Sequence, residues 1–192
     1  MFLAAVTIRD MKIIAEAKIK SPFGWHAKET WEERFAIANA VGDIISIHTD
    51  ERWGGSFELV SRARELTDKP ILAKGIHETD GDIEEALKHG ADLVLVVGRV
   101  SLAYVDQCLF EPYTIEDLKK LPPRSRAVWN SRDLSTGGFK KEQFTDARKA
   151  FGGWLCQASN IRTMEDIDQS ADAVLIGTHL PEMAPYLAEL RR

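Results

Sequence analysis

The chain has 192 residues, 44% hydrophobic and 29% charged, and its 25 basic and 30 acidic side chains leave a formal charge of −5. Those proportions belong to a globular chain with a sizeable core, and the interspersed signs lack the basic excess or stripe of a nucleic-acid binder. No apolar run approaches the roughly 18–20 residues that span a bilayer, which excludes a membrane-spanning helix.

Phe2 to Val6 is too short for a signal-peptide core, and Arg9 and Asp10 follow almost at once. Cys108 and Cys156 lie far apart within apolar runs and read as reduced core thiols, since a disulfide scaffold packs more cysteines into a shorter chain. One cytoplasmic domain over residues 1–192 is expected.

In chain order, the first apolar run covers residues 12–19 and is followed by a helix start at Thr30-x-x-Glu33, a capping-box pattern. The second run, 43–49, precedes a helical stripe of Phe57, Val60, Ala63 and Leu66. The third, 70–76, precedes a stripe of Ile83, Ala86 and Leu87. Runs 92–98 and 108–113 follow with only Ser101 to Gln107 between them. Thr114-x-x-Asp117, run 126–132, a stripe of Phe144, Ala147 and Phe151, run 154–159, Thr163-x-x-Asp166 and run 173–180 complete the series. Gly42, Gly90 and Gly152 fall where helices should stop, a natural place for a left-handed residue.

Eight strands rich in Ile, Val and Leu, alternating with seven or eight helices, imply parallel pairing through right-handed crossovers. The fold expected is a minimal (β/α)8 TIM barrel, with an open doubly wound sheet as runner-up that lacks its glycine fingerprint. The fourth unit must be trimmed. Seven residues make about two helical turns, too short to retrace a six-residue strand of ~20 Å without an extended part.

Catalytic groups of a barrel gather at the C-terminal ends of its strands. At the end of strand one, the two-residue period puts Glu16, Lys18 and Lys20 on one face and Ala15, Ala17 and Ile19 on the other. Charges in an otherwise Ile/Ala strand are costly unless paired or used, so either an internal ion pair or a working site is expected. Strand three carries Lys74, strand five Glu111, and strand six ends Asn130-Ser131-Arg132-Asp133. Ser159 after strand seven and Gly177-Thr178 after strand eight suit a phosphate. Two lysines, two carboxylates, an Asn, an Arg and a hydroxyl–glycine cradle fit acid–base work on an anionic phosphosugar.

These residues carry a resemblance. Ile14-Ala15-Glu16-Ala17-Lys18-Ile19-Lys20-Ser21-Pro22 resembles the opening strand of the indole-3-glycerol phosphate synthase family, a (β/α)8 barrel of the tryptophan pathway. Ile45-Ser46-Ile47-His48-Thr49-Asp50 with Gly55-Ser56, Pro70 through Lys74, Gly90-Ala91-Asp92 with the following Leu93-Val94-Leu95, and Leu109-Phe110-Glu111 are similar to its second to fifth strands. Asn130-Ser131-Arg132-Asp133-Leu134 is similar to its sixth-strand signature, and Ala173 through Thr178 to its eighth-strand phosphate loop.

The resemblance implies closure of an anthranilate-bearing deoxyribulose phosphate to indole-3-glycerol phosphate, with loss of carbon dioxide and water and no metal or organic cofactor. By position, Lys74 is implied as the general acid and Glu111 as the group handling protons in the later dehydration. Lys18 would assist acid chemistry or hold the carboxylate, and Glu16 and Asn130 would position these groups. Arg132 and Trp53 would meet the substrate, and Lys20, Ser21, Ser159, Gly177 and Thr178 would surround its phosphate. The partner implied is a small phosphosugar, with no nucleic acid and no membrane, and the oligomeric state stays open, a monomer included.

The chain departs from the family at three places. Ala158, Ser159 and Asn160 stand where a Glu-Ser-Gly pattern normally ends strand seven, and Gln157 replaces that acid only if the strand slips by one residue. Gly75 and Ile76 stand where Asp and Phe are usual. About ten residues precede strand one in place of a helical extension that helps cover the substrate. The alternative is therefore a phosphosugar-binding barrel without synthase turnover or with another phosphosugar substrate.

Other residues carry blander expectations. Trp31 and Trp154 read as packing residues, Trp25 as part of the loop after strand one, and Trp129 as facing the helices. His26, His48, His77 and His179 fall near strand ends without a metal-ligand motif. Lys140-Lys141 and Arg191-Arg192 read as solvated helix charges.

Overall fold

A computed structural model describes residues 11–134 and 136–189. Its frame is set by eight short strands whose residues are almost all buried, as strands covered on both faces must be. They are β1 (Lys12–Ala17), β2 (Ile44–His48), β3 (Ile71–Lys74), β4 (Leu93–Val97), β5 (Cys108–Glu111), β6 (Arg126–Asn130), β7 (Trp154–Ala158) and β8 (Ala173–Ile176). All pair in parallel and in sequence order, and β8 closes on β1, giving a closed TIM barrel.

Side-chain alternation divides the interior from the outer layer. Ile14, Leu72, Leu95, Leu109, Val128, Cys156 and Leu175 fill the inside of the barrel. Ile13, Ala15, Ile45, Ile47, Ile71 and Val94 pack outward against helices α1 (Trp31–Val41), α2 (Phe57–Leu66) and α3 (Asp80–Lys88), with α6 (Leu180–Glu189) joining the same layer. Trp129 lies in a second outer cluster under α4 (Ile115–Lys119) and α5 (Phe144–Ala150), its indole N–H donating to the Glu142 carbonyl at 3.3 Å.

Helix starts follow the caps. Thr30 accepts from Glu33 N while Glu33 reaches back to Thr30 N, and Thr79 with Asp82 forms a second box that the sequence reading passed over. Thr114 supplies half a box, accepting from Asp117 N while its own hydroxyl donates to that carboxylate.

The helix count needs correcting. The described residues hold six α-helices and two 3-10 turns, Glu51–Trp53 and Met164–Asp166, rather than seven or eight helices. No helix joins β4 to β5, in keeping with the seven residues available. The connection from β7 to β8 is trimmed as well: Thr163 opens only a 3-10 turn. Gln157 spans that turn, donating to Asp166 O and accepting from Asp168 N, both at 2.8 Å.

Of the three glycines expected to be left-handed, Gly90 alone is, at φ +95. Gly42 is extended at φ −75, and its requirement is space: a Cβ there would lie 2.8 Å from Ala15 Cβ. Gly152 has open surroundings and no positive φ. Leu66, placed on the α2 stripe by its spacing, is the last residue of that helix and is 52% exposed.

Lys140 is no solvated helix charge. It precedes α5, lies 4.5 Å over the Trp129 ring and donates to Pro112 O at 3.2 Å, and burial pushes its ammonium below the ordinary lysine value. Arg191 and Arg192, with Phe2 to Asp10, lie outside the described residues. Both cysteines are buried free thiols, which burial pushes up, Cys108 to about 11. No helix among the described residues is long and apolar enough to cross a membrane.

Candidate functional site

A cavity of about 250 Å³ opens at the C-terminal ends of the strands. Its floor is made by side chains that the barrel alternation forces inward, so strands otherwise apolar deliver charges to one place. Glu16 of β1, 1% exposed, sits at the centre of the charged side. Its Oε1 is 2.6 Å from Lys74 Nζ on β3 and 3.1 Å from His48 Nε2 on β2, and its Oε2 is 3.5 Å from Lys18 Nζ. Burial alone would raise the Glu16 carboxyl, but the Lys74 and Lys18 ammoniums hold it well below the usual carboxylate range. The same burial lowers Lys18, against the pull of Glu16.

Gly177 makes room for this group. A Cβ on it would fall 1.9 Å from Glu16 Oε2, so no residue with a side chain fits there while the carboxylate keeps its place. Thr178 beside it accepts from Lys18 Nζ at 3.1 Å, which ties the end of β8 to the end of β1.

The second carboxylate lies in different surroundings. Glu111 of β5, 3% exposed, accepts a hydrogen bond from Asn130 Nδ2 at 2.9 Å. Asn130 Oδ1 in turn accepts from Ser159 Oγ at 2.7 Å and from Arg132 N at 3.0 Å. Burial raises the Glu111 carboxyl above its ordinary value, with Lys74 and Asn130 only partly opposing. One acid is held ionised and the other pushed towards its neutral form. That is the separation acid–base chemistry needs.

Most residues singled out from the sequence converge here. Glu16, Lys18, Lys74, Glu111, Asn130, Arg132, Trp53, Ser21, Ser159, Gly177 and Thr178 all line the cavity. Lys20 does not. β1 ends at Ala17, and Lys20 instead forms an antiparallel bridge with His26, so the alternation that would carry it to the side of Glu16 and Lys18 has already stopped.

Gln157 leaves the vacant acid position unfilled. β7 keeps its register, with Ala158 opposite Asn130 and Leu175, and Gln157 faces the turn it binds. Ala158, 2% exposed, belongs to the interior apolar cluster. Ser159 and Asn160 both take left-handed backbone, at φ 66 and φ 59. Gly75 and Ile76 line the cavity next to Lys74.

Three contributors escaped the sequence reading. Arg34 on α1 is 1% exposed and donates from Nε to Lys18 O at 3.1 Å and from Nη2 to Gly177 O at 2.9 Å, locking the ends of β1 and β8 together. Its signal was available: it falls on the buried face of α1 that Trp31, Phe35, Ala38 and Val41 define. Trp25 lies under both Lys18, at 5.1 Å, and Arg34, at 5.2 Å. His48 is 5% exposed and stacks on Trp53, with centroids 5.5 Å apart and planes 3° from parallel. Its strand-end position was visible, its contacts were not. Among the described residues no group of three or more His, Cys, Asp or Glu is arranged to hold a metal ion.

A profile of the family described as indole-3-glycerol phosphate synthase matches residues 2–110. The indole-3-glycerol phosphate synthase of Aquifex aeolicus is 31% identical over 204 residues, covering 93% of this chain and 79% of that protein. The chain belongs to the indole-3-glycerol phosphate synthase family. The synthases of Pyrococcus abyssi, 30% identical across 88% of this chain and 84% of its own, and of Lachnospira eligens, 29% across 98% and 81%, extend the match over nearly the full length. A crystal structure of 3-hexulose-6-phosphate synthase superposes with a TM-score of 0.67 at 17% identity, covering 94% of this chain and 99% of that one, a likeness of fold.

Proposed function

We propose that the chain is a lyase of indole-3-glycerol phosphate synthase type. It would convert 1-(2-carboxyphenylamino)-1-deoxyribulose 5-phosphate to indole-3-glycerol phosphate with loss of carbon dioxide and water, as a cytoplasmic single-domain enzyme over residues 1–192. The observation that carries this is the Lys74–Glu16 pair, 2.6 Å apart at the cavity floor, beside a Glu111 that burial drives towards its protonated form.

Lys74 donates a proton to the substrate carbonyl as the carboxyl-bearing aromatic carbon attacks, and Glu16 holds the ammonium in place. Loss of carbon dioxide restores the aromatic ring. Glu111, oriented by Asn130, then handles the proton traffic as the hydroxyl leaves as water. Lys18 and Arg132 supply positive charge for the substrate carboxylate, and Trp53 offers a flat wall for the anthranilate ring. Ser21, Ser159, Gly177 and Thr178 are suited to the phosphate beside the start of α6. None of these steps calls on a metal or organic cofactor.

The test is turnover of the carboxyphenylamino-deoxyribulose phosphate, followed by indole fluorescence. Measurable product is expected, and Lys74→Ala should lower kcat by about 10³-fold, within the range for losing an acid–base group. No product from folded protein at high concentration would overturn the assignment. A second reading, binding of another phosphosugar or binding without turnover, is favoured by Ala158, which offers no acid on β7. It predicts affinity for a ribulose-phosphate analogue with no product.

A further inference from the structure

Glu16 meets two groups through one oxygen, and only one of them belongs to the chemistry above. Lys74 Nζ stands 2.6 Å from Oε1 and His48 Nε2 3.1 Å from the same atom. The two residues face each other in the β2–β3 register, so the sheet itself fixes them as neighbours. His48 is held from behind. Its carbonyl accepts from Ser56 N at 3.1 Å, and Gly55 lies so close that a Cβ there would fall 2.1 Å from that oxygen. Trp53 covers the ring face. Neither ring nitrogen completes a hydrogen bond in this state: Nε2 is within 3.1 Å of Oε1 but off the line of a hydrogen bond, and Nδ1 has no partner. Such contacts often tighten once substrate is bound.

We propose that His48 is a positioning residue whose Nε2–H holds Glu16 Oε1 in place while Lys74 gives up its proton. The inference rests on the synthase reading of Lys74. When the Lys74 ammonium protonates the substrate carbonyl, the proton passes to oxygen, the carbonyl electron pair follows it, and Lys74 is left as a neutral amine. Glu16 remains an anion. It then keeps Lys18 on Oε2 but loses its charged partner on Oε1, where an uncharged imidazole N–H adds a second donor without competing for the transferred proton. The ring suits this state: burial pushes His48 down to about 4, so it is uncharged at neutral pH although it faces Glu16 on β1, Lys18 just beyond that strand, Lys74 on β3 and Asp50 on its own loop.

Two measurements test the assignment. In protein labelled with 15N in its imidazoles, His48 should give the neutral Nε2–H tautomer in the resting state between pH 6 and 8, and Glu16→Gln should move that resonance. An Nδ1–H tautomer or a charged ring would overturn the proposal, and this arm needs no turnover, so it stands apart from failure of the synthase reading. In the kinetic arm, His48→Leu should lower kcat by about 10-fold with KM within about twofold, the loss of one hydrogen bond to a charged group in a single state of the cycle. His48→Gln, which keeps a donor, should recover kcat to within about threefold of the parent. A leucine variant with full kcat, or a glutamine variant as slow as the leucine one, would show that the ring only fills space.

Discussion

The two sides of the cavity floor treat their carboxylates in opposite ways. On the β1–β3 side, Glu16 is crowded by Lys74, Lys18 and His48 and held ionised. On the β5–β7 side, Glu111 has one neutral donor, Asn130, and beyond it come Ser159 and then Ala158, with no charge on β7 at all. Both groups are almost fully buried. Burial therefore cannot explain the difference: Glu16 is in direct contact with two ammoniums, whereas Lys74 and Lys140 act on Glu111 without an ion pair and only partly oppose its burial. The group held ionised suits a standing anchor, and the one whose carboxyl burial raises suits a proton carrier.

The largest way to break this contrast is Glu111→Gln. The amide keeps the acceptor for Asn130 but cannot carry a proton, so kcat should fall by about 10²-fold. Stability should move the other way, and its pH dependence identifies the cause. The folded state binds the Glu111 proton more tightly than the unfolded chain does. Its contribution is thus complete below the unfolded carboxyl value of about 4.3 and is lost as pH rises through the higher folded value. Glu16 has the reverse sign: its contribution is complete above the unfolded value and is lost as pH falls towards the depressed folded one. Thermal unfolding of the glutamine variant should exceed the parent by about 2–4 °C at pH 8 and show no gain at pH 4. A gain equal at both values would mean that the fold does not raise the Glu111 carboxyl.

The next effect comes from giving β7 its charge. Ala158→Glu places a carboxylate opposite Asn130 on the side that has none. We expect kcat to rise by about 10-fold while stability falls by about 1–3 kcal/mol, because the site is 2% exposed and no cation is paired with it. A fall in kcat in a folded variant would mean that the neutral side is part of how this barrel works.

Much of this arrangement was legible in the sequence, and the misses share a physical reason. Barrel topology and strand order followed from eight apolar runs, because a buried parallel strand needs little beyond hydrophobic continuity. The converging charges followed from the two-residue period, which holds as long as the strand does. Lys20 failed where that condition failed, since β1 stops at Ala17 and a local bridge takes over. Arg34 drew no expectation and Lys140 a wrong one for a related reason. Each is a long side chain whose role is to satisfy carbonyls at loop ends, and those carbonyls come together only when the barrel closes. His48 is the sharpest case: its importance lies in a distance to a residue 32 positions earlier on another strand.

The smallest expected effect lies at the rim of the neutral side. Ser159 and Asn160 are consecutive residues in left-handed backbone, a conformation that costs a residue with a Cβ about 1–2 kcal/mol, less for Asn. They hold it because Ser159 is committed to Asn130 through its hydroxyl, so the turn is drawn tight against the site. Asn160→Gly relieves part of that strain without touching the Ser159 hydrogen bond. Unfolding temperature should rise by about 1–2 °C, offset in part by the greater freedom of glycine in the unfolded chain. The KM for the phosphosugar should stay within about threefold, since the backbone N–H groups that would meet the phosphate keep their direction. If KM instead falls by tenfold or more, the Asn160 side chain has been holding the phosphate at a distance, and the neutral side of the cavity limits binding as well as proton transfer.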